Sequence, residues 1–407
     1  GGTFPVQTLP QIYQDIYKLE PGKYLTLNCH TLEYRMQTYW SMIETALDGQ
    51  RNPFTGSEKE ASEELERLLK EAIKGQMIAD VPLGAFLSGG IDSSLVVSLM
   101  QSLSHDKVKT FTIGFDVDKY DEAKYAKEIA AHLGTEHTEL YVTSQDAFAI
   151  MRHMTDSFTE PFADSSQIPT MLVSKMTRER VTVALSGDAG DELFCGYTTY
   201  MVAEEEMRKF RKRFHQIPAS LRHGAAKIGA ALAGPFTPTL YKVGNYLAID
   251  TMEQAHADMG LEDARTAFLA GRGRKLTDAY HNYQGGLLKE PVQNLMLMDM
   301  LQYHPDDILV KVDRAGMFYS LENRVPLLDR DVVEFAWRLP LAYKMCDGVT
   351  KRVMRDILYR YVPKEIMERP KKGFSIPIET WMREPVMYDW AGDILSEGQR
   401  KLGDLIN

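Results

Sequence analysis

Two short strings concentrate residues able to handle phosphate, metal and proton chemistry. The first is Phe86-Leu87-Ser88-Gly89-Gly90-Ile91-Asp92-Ser93-Ser94. An apolar run enters a glycine pair, and serines open the helix-like segment beyond it. Two glycines let the backbone approach an anion closely, consecutive N–H groups form a nest, and a helix start adds its positive end. Ser88, Ser93 and Ser94 offer hydroxyl donors to phosphate oxygens. Phosphate would repel Asp92 unless a cation lay between them, so Asp92 reads as a Mg2+ ligand. The lysine and spacing of a Walker A loop are absent, which excludes a kinase-type P-loop. Serine and glycine alone are common at strand-to-helix turns; this whole string is not.

The second string is Ser186-Gly187-Asp188-Ala189-Gly190-Asp191-Glu192, after the β-forming run Val183-Ala184-Leu185. Three acids crowd into five residues, and like charges that close cost energy unless metal or basic groups compensate. Asp191 is a candidate second Mg2+ ligand facing Asp92. Asp188 is a candidate acid/base or orienting group at a reacting centre. Glu192 reads equally as a brace for the helix after it.

These loops need a scaffold, and the pattern supplies one. Ser57 opens a helix with Glu60 as its capping-box partner, and Ala61, Leu65, Leu68, Leu69, Ala72, Ile73 and Met77 come next at helical spacing. From Val81 onward, strand-like runs (83–87, 108–115, 137–142 and 181–185) alternate with helical ones (93–103, 121–133 and 145–158). Such alternation predicts a parallel, doubly wound α/β sheet. Ligands of open parallel sheets bind beyond the carboxyl ends of the strands, where both strings fall. After Tyr197 the pattern turns mostly helical, with breaks at Pro218, Pro235 and Pro238. The basic run 208–213 comes after three glutamates and reads as a solvated helix with i,i+4 pairs.

The 407 residues suggest two or three domains at roughly 150 residues each. With 44% hydrophobic and 26% charged residues, the chain is neither disordered nor collagen-like. A net charge of −10 argues against a large nucleic-acid grip. No apolar stretch approaches the ~18 residues of a membrane span. Three scattered cysteines, Cys29, Cys195 and Cys346, exclude cysteine-rich zinc sites and fit a reducing compartment, so a cytoplasmic location is expected.

The chain resembles the asparagine synthetase family, a member of the pyrophosphate-loop group of ATP enzymes. The likeness rests on SGGIDSS at 88–94, Phe111-Thr112-Ile113-Gly114-Phe115 with Asp121-Glu122, and Glu160-Pro161-Phe162-Ala163-Asp164-Ser165-Ser166. It continues through SGDAGDELFCGY at 186–197, DDILVKVDRAGM at 306–317, SLENRVPLLD at 320–329 and Lys371-Lys372-Gly373-Phe374. Together these cover about residues 20–390.

The resemblance implies MgATP-dependent adenylation of a carboxylate, then amination, with aspartate to asparagine as the default. By motif match, backbone groups of Leu87 and Ile113 hold adenosine. Ser88, Gly89, Gly90, Asp92, Ser93, Ser186 and Gly187 contact the phosphates, and Asp92 and Asp191 hold Mg2+. Asp188 stands where many members carry Glu, and Lys351 matches an active-site lysine. These two are the catalytic candidates, Asp188 as proton acceptor and Lys351 as a stabiliser of developing negative charge. The substrate pocket is expected from residues 160–170 and 300–325. Ala189 and Cys195 replace glycines usual in related sequences, with little consequence expected.

The implied organisation has three parts: residues 1–56 as the closing remnant of a glutaminase-type domain plus linker, 57–197 as the ATP pyrophosphatase-type core, and 198–407 as a helical part completing the substrate site. No cysteine nucleophile precedes Cys29. The sequence as given is therefore expected to use ammonia and not glutamine, with a glutaminase domain or free ammonia as nitrogen source and a homodimer possible. Two alternatives remain open: a relative that amidates or cyclises a different carboxylic acid, and a non-catalytic nucleotide-binding interaction protein.

Overall fold

The computed structural model describes residues 9–10, 16–115, 117, 121–202, 217–218, 220–225, 286–368 and 376–402. The basic run 208–213, Pro235, Pro238 and the 371–374 motif lie outside the described residues.

The chain divides into two compact units, Gly1–Cys195 with Met300–Leu395, and Gly196–Asp299 with Ser396–Asn407. The first unit holds the sheet. It begins with two short antiparallel pairs, β1 (Leu9–Pro10) with β2 (Tyr17–Lys18), and β3 (Lys23–Leu27) with β4 (Tyr34–Thr38). Helices α1 (Met42–Arg51) and α2 (Glu58–Gln76) come next. The expected capping box is present: Ser57 Oγ accepts from the Glu60 N–H, and Glu60 accepts from the Ser57 N–H at 2.7 Å. Leu65, Leu69 and Ile73 on α2 are fully buried, worth about 2 kcal/mol each in transfer free energy.

The central sheet then builds as β5 (Leu83–Phe86), α3 (Ile91–Leu103), β6 (Lys109–Phe115), α4 (Ala123–Leu133) and β7 (Glu136–Val142). The predicted 145–158 helix is two pieces, α5 (Ser144–Met151) and α6 (Met154–Ser157), and a helix the periodicity did not suggest, α7 (Gln167–Arg178), precedes β8 (Val183–Leu185). After α8 (Gly190–Leu193), the unit resumes with a π-helical turn over His304–Ile308, α9 (Leu309–Phe318), β9 (Glu322–Arg324), α10 (Arg330–Arg338), α11 (Leu341–Lys344) and α12 (Arg352–Leu358).

The strand order is β7-β6-β5-β8-β9, parallel throughout. This is the doubly wound α/β architecture the alternation predicts. The chain runs outward from β5 to β7, then returns to pair β8 on the other side of β5. The topological switch point therefore lies between β5 and β8, where a crevice opens at the strand ends. Right-handed crossovers put α3 and α4 on one face and α7 on the other. Accordingly α3 packs on α2 and α4, while α7 packs on α5 and α9. Strand β6 is buried almost throughout, as a central parallel strand should be, and Phe111, Ile113 and Phe115 join Met171, Leu172 and Trp381 in one apolar cluster.

The first segment of the sheet-bearing unit ends at Cys195. Residues 300–395, however, belong with the sheet. Strand β9 extends the sheet beside β8, and α12 packs on α2 and α3. Three polar residues, Glu322-Asn323-Arg324, carry no strand period of their own and pair only because β8 offers a free edge. In the second unit, the buried Tyr200 hydroxyl donates to Asp299 at 2.5 Å. Among the described residues no helix is long and apolar enough to cross a membrane.

Candidate active site

Both strings sit at the carboxyl edge of the sheet, on adjacent strands. After β5, Leu87 N–H still donates to Phe111 O at 2.9 Å, and Gly89 turns with φ +79°. Ser88 and Ser93 hydroxyls lie 3.0 Å apart, and Gly90 caps α3 without any side-chain hydrogen bond. The positive end of α3 thus begins beside the strand exits, where an anion would be favoured. Ile113 is buried in β6, in register with Leu140 of β7.

After β8, Ser186 N–H donates to Arg324 O at 2.9 Å, tying the second loop to β9. The two loops then meet with no room to spare. A Cβ on Gly187 would lie 2.5 Å from the Ser93 nitrogen, and one on Gly190 would collide with the Asp92 carboxylate. Glycine is needed at both places because backbone and carboxylate occupy the side-chain volume.

Asp92 and Asp191 meet at Lys351. Its ammonium donates to Asp92 Oδ2 and lies 2.7 Å from Asp191 Oδ1. Burial alone would pull the amine down, but the two carboxylates hold its pKa above the ordinary lysine value. The residue caps α12 in the left-handed region, φ +55°, and its N–H donates to Phe194 O at 3.2 Å. Strain of this kind persists only where surrounding structure enforces it.

Asp188 takes a different set of neighbours. Ser186 Oγ donates to it at 2.7 Å, and burial raises its pKa, opposed by that hydrogen bond and by His304 and Lys311. Behind it His304 Nδ1 lies 3.4 Å from Glu192 Oε1, both side chains 2% exposed, so Glu192 braces the π-helical turn from inside. Lys311, on α9, donates to Asp164 at 2.5 Å and to Ser166 at 2.7 Å. Burial pushes Asp164 up, but Lys311 outweighs it and holds the carboxyl below its usual range. Burial, with Asp164 beside it, pushes Asp307 up to about 7. Residues from the 160–170 and 300–325 segments thus meet in one polar cluster beside Asp188. Sequence reasoning marked the segments but not Lys311, which on a helix of alternating charge looks like any solvated lysine.

Ala189 and Cys195 both stand at positive φ, +73° and +58°. The sequence suggests little consequence at either, but a non-glycine residue in this region costs about 1–2 kcal/mol. Cys195 is buried, with its Sγ 3.6 Å from Met345 Sδ.

Lys344, just before the turn that leads to Lys351, is fully buried over the Trp337 ring, 5.0 Å from its centroid, with no hydrogen-bond partner for Nζ. Burial lowers its pKa to about 7, with Cys195 acting weakly in the opposite sense. An unfolded lysine titrates near ~10.4, so between about 7 and ~10 the unfolded chain binds more protons and stability from this group rises with pH. Below pH 7 the full penalty of a buried ammonium remains. Lys344→Met should therefore raise Tm by several degrees at pH 6, with the gain shrinking toward pH 9.5. A gain that stays constant in melts across that range would remove the buried amine as its cause.

The family model described as asparagine synthase matches residues 64–407, and the chain belongs to the asparagine synthase family. It is 29% identical over 389 residues to asparagine synthetase (glutamine-hydrolyzing) 1 of Bacillus subtilis (strain 168), covering 94% of this chain and 59% of that protein. It is 24% identical over 419 residues to amidase chry2 of Gibberella zeae, covering 92% of this chain and 60% of that protein. The chain thus spans about three fifths of the length of these curated relatives. Among solved structures, NMN synthetase from Francisella tularensis matches with a TM-score of 0.26 at 19% identity, over 36% of this chain and 60% of that one. The parallel sheet, the glycine-serine loop at its switch point and the family membership make the fold a pyrophosphate-loop α/β fold.

Proposed function

We propose that this chain performs ATP-dependent amide synthesis through an acyl-adenylate, with aspartate as the favoured acid and asparagine, AMP and pyrophosphate as products. The observation that carries the reading is the convergence of Asp92 and Asp191, from loops on adjacent strands, at the mouth of a glycine-serine anion cradle. Two hard carboxylate oxygens beside phosphate donors suit Mg2+. That ion, when bound, supplies charge neutralisation on the phosphates.

The chain's own residues do the rest. The Ser88–Ser93 pair and the glycine-capped start of α3 orient the phosphates, with Ser186 and Gly187 closing the other side. Backbone groups at Leu87 and Ile113 take the adenosine. The acid is gripped by Lys311, whose position Asp164 and Ser166 fix. Its carboxylate attacks the α-phosphorus and pyrophosphate leaves. Ammonia then attacks the activated carbonyl. Asp188 accepts the released proton, and burial suits it to this by raising its basicity. Lys351 stabilises charge as AMP departs. Ammonia comes from solution or from a glutaminase domain; exposed Tyr24, Leu25, Leu27 and Leu32 on the β3–β4 hairpin provide apolar surface for such a neighbour. The activity is expected in the cytoplasm.

ATP–pyrophosphate exchange with a panel of carboxylic acids tests this. Exchange stimulated by aspartate supports it; exchange stimulated by another acid reassigns the substrate, a reading the amidase relative keeps in view; no exchange with any acid sinks it. Lys311→Met should raise the half-saturating acid concentration by about 10- to 100-fold, the loss of a hydrogen bond to a charged group, with ATP half-saturation nearly unchanged. A mutant losing ATP and acid affinity equally would place Lys311 elsewhere.

A further inference from the structure

An ammonium sits where the two candidate metal ligands converge. Lys351 is not a loose surface lysine reaching in by chance: its side chain is 5% exposed, its backbone is held at φ +55° and its N–H is anchored to Phe194. Each carboxylate it bonds comes from a different loop. The ammonium is fixed to one oxygen of each carboxylate, Asp92 Oδ2 and Asp191 Oδ1, and its buried positive charge repels a divalent ion brought to the same pair at ~2.1 Å.

We propose that Lys351 is a tethered cation that closes the Asp92–Asp191 pair to divalent ions until nucleotide arrives, making metal entry conditional on ATP. A lone divalent ion must enter against the charge of the ammonium or push it off the pair. ATP brings its own anionic oxygens to the adjoining cradle. These can bind the incoming ion and also accept the displaced ammonium, so the four-carbon stem swings from carboxylate to phosphate with its backbone unmoved. Metal and nucleotide are then thermodynamically coupled, and the coupling is reciprocal. The ATP half of this inference rests on the adenylation reading; the closure of the carboxylate pair rests on geometry alone.

The experiment follows free Mn2+ by EPR as it is titrated with the full chain, with and without α,β-methylene-ATP, correcting for Mn2+ held by the analogue itself. Wild type should bind Mn2+ weakly alone, and on the order of 10²-fold more tightly with the analogue. In Lys351→Met, affinity without nucleotide should rise at least about tenfold and the coupling should shrink by the same factor, because the competing cation is gone. Adding Asp92→Asn to that variant should erase the gain, showing that the ion sits on the pair. Wild-type Mn2+ affinity that is equal with and without the analogue overturns the proposal, and this needs no variant to fold. So does a folded Lys351→Met that gains nothing. A gain in that variant alongside absent pyrophosphate exchange in wild type would retain the closure and discard the adenylation reading.

Discussion

Asp92→Asn should lower pyrophosphate exchange by about 10³-fold, since the charge a bound ion would stabilise on the phosphates is worth several kcal/mol at 1.36 kcal/mol per decade. Asparagine keeps the shape and can still accept from Lys351, so the packing of the two loops survives. Lys351 retains Asp191 at 2.7 Å, which keeps the buried ammonium paired and limits the loss of Tm to a few degrees. Asp191→Asn should behave alike. The sharper test is the double substitution. If both carboxylates serve one ion, removing the second costs little once the first is gone, because groups acting as a unit are strongly non-additive. A double mutant whose loss is the product of the single losses would mean two separate roles. Unimpaired exchange in either single mutant would remove that residue from the site.

The parts of the site that are readable in the sequence are those written in contiguous chain. The string 86–94 carries its own strand exit, turn and helix start, so its local structure and its chemistry are specified together. The same holds for 183–192. Because parallel strands present all their exits at one edge, finding the two loops is enough to expect Asp92 and Asp191 to converge. The unreadable parts come from long-range pairing. Lys351 lies 259 residues from Asp92 along the chain; only its match to the family motif marks it, because residue type and spacing do not tell a buried ammonium from a solvated one. Lys311 finds Asp164 and Ser166 only because α9 packs on α7. Strand β9 is three polar residues captured by an open sheet edge. Ala189 and Cys195 hide their left-handed backbones because the usual mark of such positions, glycine, is absent at both.

The fold's demand on this site is most exposed at Gly187. Its would-be Cβ lies 2.5 Å from the Ser93 nitrogen and 2.7 Å from the Asp92 carbonyl carbon. Both are backbone atoms of the first turn of α3, so no side-chain rotation relieves the clash. Gly187→Ala must therefore move the second loop away from the first by close to an ångström, to reach ordinary contact distance. Overpacking of this kind costs about 1–3 kcal/mol of stability. The larger effect falls on chemistry: a 1 Å misplacement of positioning groups costs on the order of 10²-fold in rate. Separating the loops pulls Asp191 from Asp92 and the Ser186 side of the cradle from the Ser88–Ser93 side at once. Gly134→Ala provides the comparison, since that glycine sits at φ +73° with nothing within 4 Å of its would-be Cβ. It should lose about 1 kcal/mol through backbone strain alone. Exchange in that variant should remain at the wild-type rate, because α4 ends far from either loop in the chain. Measured side by side, the two variants should lose comparable Tm and diverge by about two decades in exchange, the scale of a 1 Å misplacement. Equal exchange rates in both would show that the contact between the loops does not hold the catalytic geometry.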